Sequence, residues 1–510
     1  MRSIIHPTRR SAAAFAAFVL AVTGVGLAAP AAGSPLAAST AVEEPATDRT
    51  PNWAPELGST ATADVFENAN GRLDMGTPEV APAANPTVSG TLLYRAEPDG
   101  PTAAVTTGNG VIRFWRESSP NLFAFEGQIE TFSGGGEFFI DTLPGGDYIV
   151  EFISFNAPAP SRIYWNGEPV FAIADKLALN DDVPTALGTV VIEPRTLDFY
   201  RISGPSRFDT AAAIAESAWP DGSGPIPVVY IINGLGYADA LSAGPAAASQ
   251  GGILLPVLLN SIPAVIQDQL ERLQPERIVV VGSSLAISNS VETALEEFVA
   301  DPADVERIAG SSRYATSRAI VADAFGDEGL TNVFVSTGRN FPDALAAGPA
   351  ASRLEGAVLL VDGLSPSGID IDTRQLLIDL GRPDIFITGS DRVVTSTVAE
   401  ALESTLSEGG VVLRLAGTSR FDTARVINDF AFGATETYPD FAFIANGLGF
   451  ADALTGGPLA ARFNAPMYLS LPQCLSQDVF GDLLDLIVVE AYALGSPLAL
   501  SDRVLYGDFC

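Results

Sequence analysis

The chain has 510 residues and a formal net charge of −33, and Lys176 is its only lysine, so almost all positive charge is arginine. That balance excludes a nonspecific nucleic-acid binder, which needs a basic surface. The one histidine, His6, lies in a segment expected to be removed. The mature chain would then lack histidine altogether, which excludes Ser-His-Asp and Cys-His nucleophile activation and histidine-ligated zinc. No cofactor and no metal site is expected.

Residues 1–31 carry Arg2, Arg9 and Arg10, then the apolar run Ala12 to Leu27, then Ala29-Pro30-Ala31, which fits a small-residue cleavage site. This is the pattern of a secretory signal peptide. The run is shorter than the ~20 residues a bilayer span requires. No later segment offers an unbroken apolar span, and the C-terminal residues show neither a hydrophobic tail nor a sorting motif. The mature protein is therefore expected to be exported and soluble, with any surface retention arising from binding.

Residues 32–85 are rich in Ala, Pro, Thr, Ser and Glu without apolar periodicity, and read as a disordered spacer. Residues 86–195 change to short β-type runs: Val88 to Tyr94, Gly110 to Trp115, Glu137 to Ile140 and Tyr148 to Ser154. Turn-forming stretches such as Pro144-Gly145-Gly146-Asp147 separate them, the punctuation of an all-β sandwich. The segment GGGEFFIDTLPGGDYIVEF resembles the closing hairpin of carboxypeptidase-regulatory-like and related prealbumin-like surface modules.

From Arg201 onward the chain repeats itself. RISGPSRFDTA at 201, RIAGSSRYATS at 307 and RLAGTSRFDTA at 414 are each followed by a strand and a second block: INGLGYADALSAGPAAA, STGRNFPDALAAGPAAS and ANGLGFADALTGGPLAA. Arg207, Arg313 and Arg420 are 106 and 107 residues apart; Asp239, Asp343 and Asp452 are 104 and 109 apart. Two separate motifs keeping one period mark a tandem array, with repeats at 201–306, 307–413 and 414–510. Within repeat one, helical patterns alternate with the continuously apolar strands Pro227 to Ile232, Gly252 to Leu258 and Arg277 to Val281. Such strands belong to a parallel sheet buried on both faces. The last helix is expected to open on capping boxes at Asn289 and Glu292 in repeat one and at Thr397 and Glu400 in repeat two.

The second block sits where a strand ends and a helix starts, the place where open α/β sheets bind ligands. Its candidate binding residues are Asn233, Tyr237 and Asp239, then Thr337, Phe341 and Asp343, then Asn446, Phe450 and Asp452. Alternatively, its glycines form turns and its aspartates favour a helix N-terminus. A dinucleotide fingerprint is excluded in repeats one and three, where G-x-G-x-x-D places a carboxylate at the phosphate position. Arg207, Arg313 and Arg420 could offer a fork to an anionic ligand. They could equally brace the second block or a neighbouring copy. The glycine-proline pairs at Gly244, Gly348 and Gly457 are expected to end or kink a small-residue helix. Gly282-Ser283, Gly389-Ser390 and Gly495-Ser496 form either simple turns or a second rim of the same site. Cys474 and Cys510, the only cysteines, are expected to pair in an exported chain.

At these motifs, over residues 201–510, the chain resembles the cell-wall-binding repeat 2 family. The resemblance implies three α/β modules about a pseudo-threefold axis, preceded here by the all-β domain. It further implies non-covalent retention on the Gram-positive envelope through an anionic secondary cell-wall polymer; catalysis is not expected, because three similar copies of one loop suit multivalent binding better than a single tuned acid/base pair. The expected location is the cell wall or cell surface. Two other functions remain in view: a wall-glycan hydrolase using paired carboxylates such as Asp239 and a neighbouring acid, and an adhesin whose β module binds an external partner. Repeat two departs from the others, with Ala315 for Asp209 and Asp422 and Pro342 for Ala238 and Ala451, so unequal modules are expected. A polyanion meeting a chain this acidic requires local arginines or bridging cations.

Overall fold

The computed structural model describes residues 87–510 except the short segments 96–101, 120–121, 156–160, 166–173, 181–182, 193–196, 221–224, 327–328, 434–437 and 507–508. The signal peptide and spacer assigned to residues 1–85 lie outside the described residues. The remainder falls into two compact units, divided between Arg195 and Thr196. Among the described residues no helix is long and apolar enough to cross a membrane.

The first unit is a β-sandwich. In one sheet, β1 (Val88–Arg95) is flanked on one side by β2 (Thr102–Ala104) and β5 (Glu137–Ile140), and pairs in parallel with β9 (Thr185–Ile192). In the other, β4 (Leu122–Ile129), β3 (Gly110–Ser119) and β6 (Gly146–Ser154) lie in order, with β7 (Ser161–Tyr164) and β8 (Leu177–Leu179) along the far edge. Side chains alternate between faces along a strand, so each sheet contributes one apolar row, and Leu92, Phe138, Phe114 and Phe152 meet in a shared core. Tyr148 closes the turn before its own strand by donating its hydroxyl to the Pro144 carbonyl at 2.7 Å.

The second unit is built from three four-stranded parallel sheets. The first runs β12 (Ile253–Val257), β11 (Val228–Asn233), β13 (Arg277–Val281), β14 (Val305–Ile308), and the second runs β16 (Ala357–Val361), β15 (Asn332–Thr337), β17 (Asp384–Thr388), β18 (Val412–Leu415). Their central strands are apolar on both faces because helices cover both sides. Pro256, which has no amide to donate, is accommodated in β12, an outer strand.

The third sheet reveals how the array closes. Its order is β20 (Met467–Ser470), β19 (Phe441–Asn446), β21 (Glu490–Leu494), β10 (Asp198–Ile202). Strands β14 and β18, which carry the opening motifs of repeats two and three, complete the sheets of repeats one and two. By the same rule β10, which opens repeat one, completes the sheet of repeat three, pairing Tyr200 with Tyr492 across about three hundred residues of chain. Each repeat gives its first strand to the repeat before it, and the last gift closes a ring.

Each opening motif also starts a helix: α1 (Arg207–Ala218), α5 (Arg313–Phe325) and α9 (Arg420–Asn428). Ser206 caps α1, and Asp209 returns a bond to the Ser206 amide at 3.1 Å, so both orphan donors are satisfied. Ser312 caps α5 without that return bond, because Ala315 stands in the aspartate's place. The helices after the second block are α2 (Ala243–Ser249), α6 (Pro342–Arg353) and α10 (Ala451–Arg462). They pack on one another around the axis, and their small residues permit close approach. The glycine-proline pairs do not end these helices: Pro349 and Pro458 lie inside α6 and α10. Gly244 faces Pro458, and Gly348 faces Pro245, with 3.9 Å between an ideal Cβ and the proline ring in each case.

Outer helices complete the modules: α3 (Ala264–Leu273) and α4 (Asn289–Leu295), α7 (Ile371–Asp379) and α8 (Ser396–Glu403), and α11 (Gln477–Asp485). The expected capping boxes do not form, and both helices start upstream of them. The N-caps are Ser288 for α4 and Thr395 for α8, and Glu292 pairs with Arg307 at 2.8 Å rather than with its own helix start. One hydrophobic core runs through all three repeats, from Ile214 through Phe334 to Phe443, and a second, including Val333, Leu359 and Ile385, lies within repeat two. Cys474 and Cys510 form a disulfide with Cα atoms 5.2 Å apart, tying the last described residues to repeat three.

Candidate functional site

The recurrent residues converge on the axis of the ring, and most of their bonding capacity is directed inward. Arg201, Arg307 and Arg414 donate from Nη1 to the carbonyls of Gly495, Gly282 and Gly389 at 2.5, 2.7 and 2.8 Å. Each opening arginine thus fastens its strand to the glycine that ends the neighbouring strand. The amides of Gly204, Gly310 and Gly417 donate to Thr210, Thr316 and Thr423, all at 3.1 Å. That bond fixes the turn into each helix.

Arg207, Arg313 and Arg420 donate from Nη1 to the carbonyls of Gly234, Gly338 and Gly447 in the second block of their own repeats, at 2.6, 2.6 and 2.9 Å. Those glycines are needed because the rings of Phe208, Tyr314 and Phe421 pack there. An ideal Cβ would lie 2.7, 2.7 and 2.5 Å from the respective ring.

The same arginines cross to the neighbouring repeat. Arg207 lies over Phe450 of repeat three at 5.7 Å, Arg313 over Tyr237 of repeat one at 5.9 Å, and Arg420 over Phe341 of repeat two at 6.0 Å. The three rings form a triad at the axis, with centroids 5.3 Å apart for Tyr237 and Phe341, 5.5 Å for Tyr237 and Phe450, and 5.9 Å for Phe341 and Phe450. Tyr237 also donates to the Arg339 carbonyl of repeat two at 3.4 Å. These contacts run in the same rotational sense as the exchanged strands.

The aspartates are seated against the glycine-serine turns. Gly282, Gly389 and Gly495 have φ of +95°, +98° and +101°, and an ideal Cβ would lie 3.0, 2.4 and 2.3 Å from the carboxylates of Asp239, Asp343 and Asp452. Glycine is required there twice over, for its backbone angle and for the space the carboxylate occupies. Burial pushes the Asp343 carboxyl up to about 6, partly opposed by the charge of Arg420. Burial also raises Asp452, opposed by Arg207 and by a hydrogen bond from Thr210. Repeat one therefore holds a carboxylate of repeat three, and repeat three one of repeat two.

Asn233 clasps two loops: its Oδ1 accepts from the Leu235 amide and its Nδ2 donates to the Ala286 carbonyl, both at 2.8 Å. Asn446 does the same to Leu448 and Ala499, again at 2.8 Å. Thr337 is shorter and makes only the first of these contacts, accepting from Arg339 at 3.3 Å. The structure thus brings together all twelve residues singled out from sequence, in three interlocked sets. The opening arginines and the threonines that receive glycine amides belong to the recurrent opening motif but are not among those twelve, and neither are the exposed loop residues beside Asn233 and Asn446. The first two groups recur in every copy, which was the available signal.

A known protein family matches the three repeats that build this ring. Cell wall binding domain 2 (CWB2) matches residues 201–292, 307–399 and 414–505, over half the chain. The chain belongs to the CWB2 family. It is 26% identical over 293 residues to the N-acetylmuramoyl-L-alanine amidase LytC of Bacillus subtilis (strain 168), covering 57% of this chain and 54% of that protein. It is 28% identical over 267 residues to the amidase enhancer of the same organism, covering 52% of this chain and 34% of that protein. The chain therefore spans about half or less of the length of these relatives. Among solved structures, Cwp6 from Clostridium difficile shares the fold with a TM-score of 0.55 at 16% identity, covering 79% of this chain and 64% of that one. Cwp8 from Clostridium difficile does so with a TM-score of 0.52 at 21% identity, covering 70% and 58%.

Proposed function

We propose that this CWB2 chain is an exported surface protein held on the bacterial cell wall without covalent attachment, its ring of three repeats binding an anionic secondary cell-wall polymer. The observation that carries the reading is the closed ring of three CWB2 repeats, which presents three related loop sets to one side of a common axis. Three weak contacts to one polymer give avidity that a single module would lack. The signal-peptide pattern of residues 1–31 supports export to a Gram-positive envelope. The β-sandwich, whose hairpin resembles carboxypeptidase-regulatory-like modules, would carry the part of the function displayed at the surface.

A wall-glycan hydrolase is less well supported, because the aspartates nominated as acids are packed against glycine turns and Asp343 and Asp452 are compensated by arginines of the next repeat. Such carboxylates brace an interface and are poorly placed to meet a glycosidic oxygen. The test is to incubate the mature protein with purified walls and measure sedimentation and soluble sugar together. Retention without sugar release is expected; sugar release abolished by Asp239→Asn would overturn the reading.

A further inference from the structure

Repeats one and three present leucines where repeat two presents arginines. Leu235 and Leu448, two residues past β11 and β19, are 64% and 56% exposed; Leu285 and Leu498, in the glycine-serine turns after β13 and β21, are 87% and 97% exposed. The same two positions in repeat two are Arg339 and Arg392, both exposed. In repeats one and three the two exposed leucines stand on adjoining loops, and a grouped apolar surface of this kind marks an interaction site. The two loops are neighbours: β15 and β17 pair in parallel, and in the other repeats one asparagine clasps both. Where the leucines become arginines, that asparagine becomes Thr337, and the clasp to the second loop is gone.

We infer that repeat two reads the anionic group of the wall polymer through Arg339 and Arg392, while the leucine pairs of repeats one and three pack on uncharged, apolar faces of the same polymer. This rests on the wall-anchoring function proposed above. Asp362 engages Nε and Nη2 of Arg339 at 2.5 and 2.9 Å, which orients the guanidinium and leaves Nη1 without a hydrogen bond among the described residues. Among the described residues Arg392 has no hydrogen-bond or ion-pair partner, and its neighbour Asp391 lies in the field of Arg414. Arg339 also borders the aromatic triad, since its carbonyl receives the Tyr237 hydroxyl. In a chain of charge −33, Arg339 and Arg392, beside Asp362 and Asp391, put guanidinium donors where the other repeats place leucine, which gives repeat two hydrogen-bonding groups for an anion that the other two lack at these positions. The group recognised is a phosphodiester or a carboxylate, which a planar guanidinium can engage with two bonds.

The experiment is co-sedimentation of the full mature chain with purified Gram-positive walls across a salt series. The variants are Arg339→Leu/Arg392→Leu, which copies the neighbouring repeats, and Arg339→Gln/Arg392→Gln, which keeps polarity. Both should fold as the parent does, bind about tenfold more weakly and lose most of the salt dependence. Equal binding by parent and both variants at every salt concentration would overturn the inference while leaving the anchoring function intact. No sedimentation of the parent would defeat the anchoring function, and this inference with it. Walls treated with hydrofluoric acid lose phosphodiesters, and walls treated with carbodiimide and an amine lose carboxylates. Loss of binding to one assigns the group, and undiminished binding to both overturns the inference.

Discussion

Asp452 and Gly495 fit one another as a carboxylate and the space a side chain would have filled: an ideal Cβ on Gly495 would lie 2.3 Å from Oδ2 of Asp452. The pair joins the second block of repeat three to the end of its third strand, and Asp343 with Gly389 and Asp239 with Gly282 repeat it. A glycine motif and an aspartate motif that look independent in sequence are thus one contact, made three times.

Substituting that glycine should be costly in a way its backbone angle alone does not explain. Gly389 and Gly381 both have positive φ, +98° and +90°, yet nothing lies within 4 Å of an ideal Cβ on Gly381. Gly381→Ala should cost about 1–2 kcal/mol from the left-handed backbone. Gly389→Ala should cost at least about 1 kcal/mol more, because the Asp343 carboxylate must move. Chemical unfolding of the two variants checks the difference, and equal losses would refute the fit.

Asp343 makes the ring sensitive to pH in a defined direction. Its carboxyl is raised to about 6 in the folded chain by burial, against an ordinary value of 3.8. The folded state therefore takes up this proton before the unfolded state does. The stabilisation is fully present below about pH 4 and is lost as pH rises through about 6. Asp343→Asn should therefore be more stable than the parent at pH 7, by on the order of 2 kcal/mol. The advantage should shrink to nothing by about pH 4. Thermal unfolding of both proteins between these limits measures it.

Ring closure depends on β10, the strand that leads into the first repeat motif. A chain beginning at residue 197 keeps β10, whereas one beginning at residue 203 leaves β21 with an open edge and uncovers Tyr492, whose ring lies 5.4 Å from Tyr200. The shorter chain should melt lower and associate through the exposed edge. Light scattering and thermal unfolding distinguish the two; identical behaviour would contradict the closed ring.

The Cys474–Cys510 disulfide spans 36 residues of repeat three. Replacing both cysteines with alanine should destabilise that repeat by about 3–4 kcal/mol in the chain-entropy account. Proteolysis should then begin there before reaching repeats one and two.

Much of this architecture is legible in the sequence. The strand runs from Val88, Gly110, Glu137 and Tyr148 become β1, β3, β5 and β6, and the apolar runs of repeat one become β11, β12 and β13. These follow from local alternation and burial, which a short window captures. The destination of β10 is not local. Arg201 looks like the start of repeat one, but its strand pairs with β21, and only the requirement that every sheet gain a fourth strand fixes this. The caps of α4 and α8 also differ from the sequence reading: both helices start earlier, on Ser288 and Thr395, and in α4 Glu292 is held by Arg307. The recurrent residues can be picked out in the sequence, but not their partners. A recurring arginine announces that it matters, while the Phe450 ring it covers lies in another copy, and period alone cannot say which.

The most direct test is sedimentation of the full mature chain with native Gram-positive walls and with the same walls stripped of secondary polymers by acid. The chain should be retained by native walls and lost from stripped ones, with no sugar released in either case. Equal retention by both would contradict polymer anchoring by the three-repeat ring.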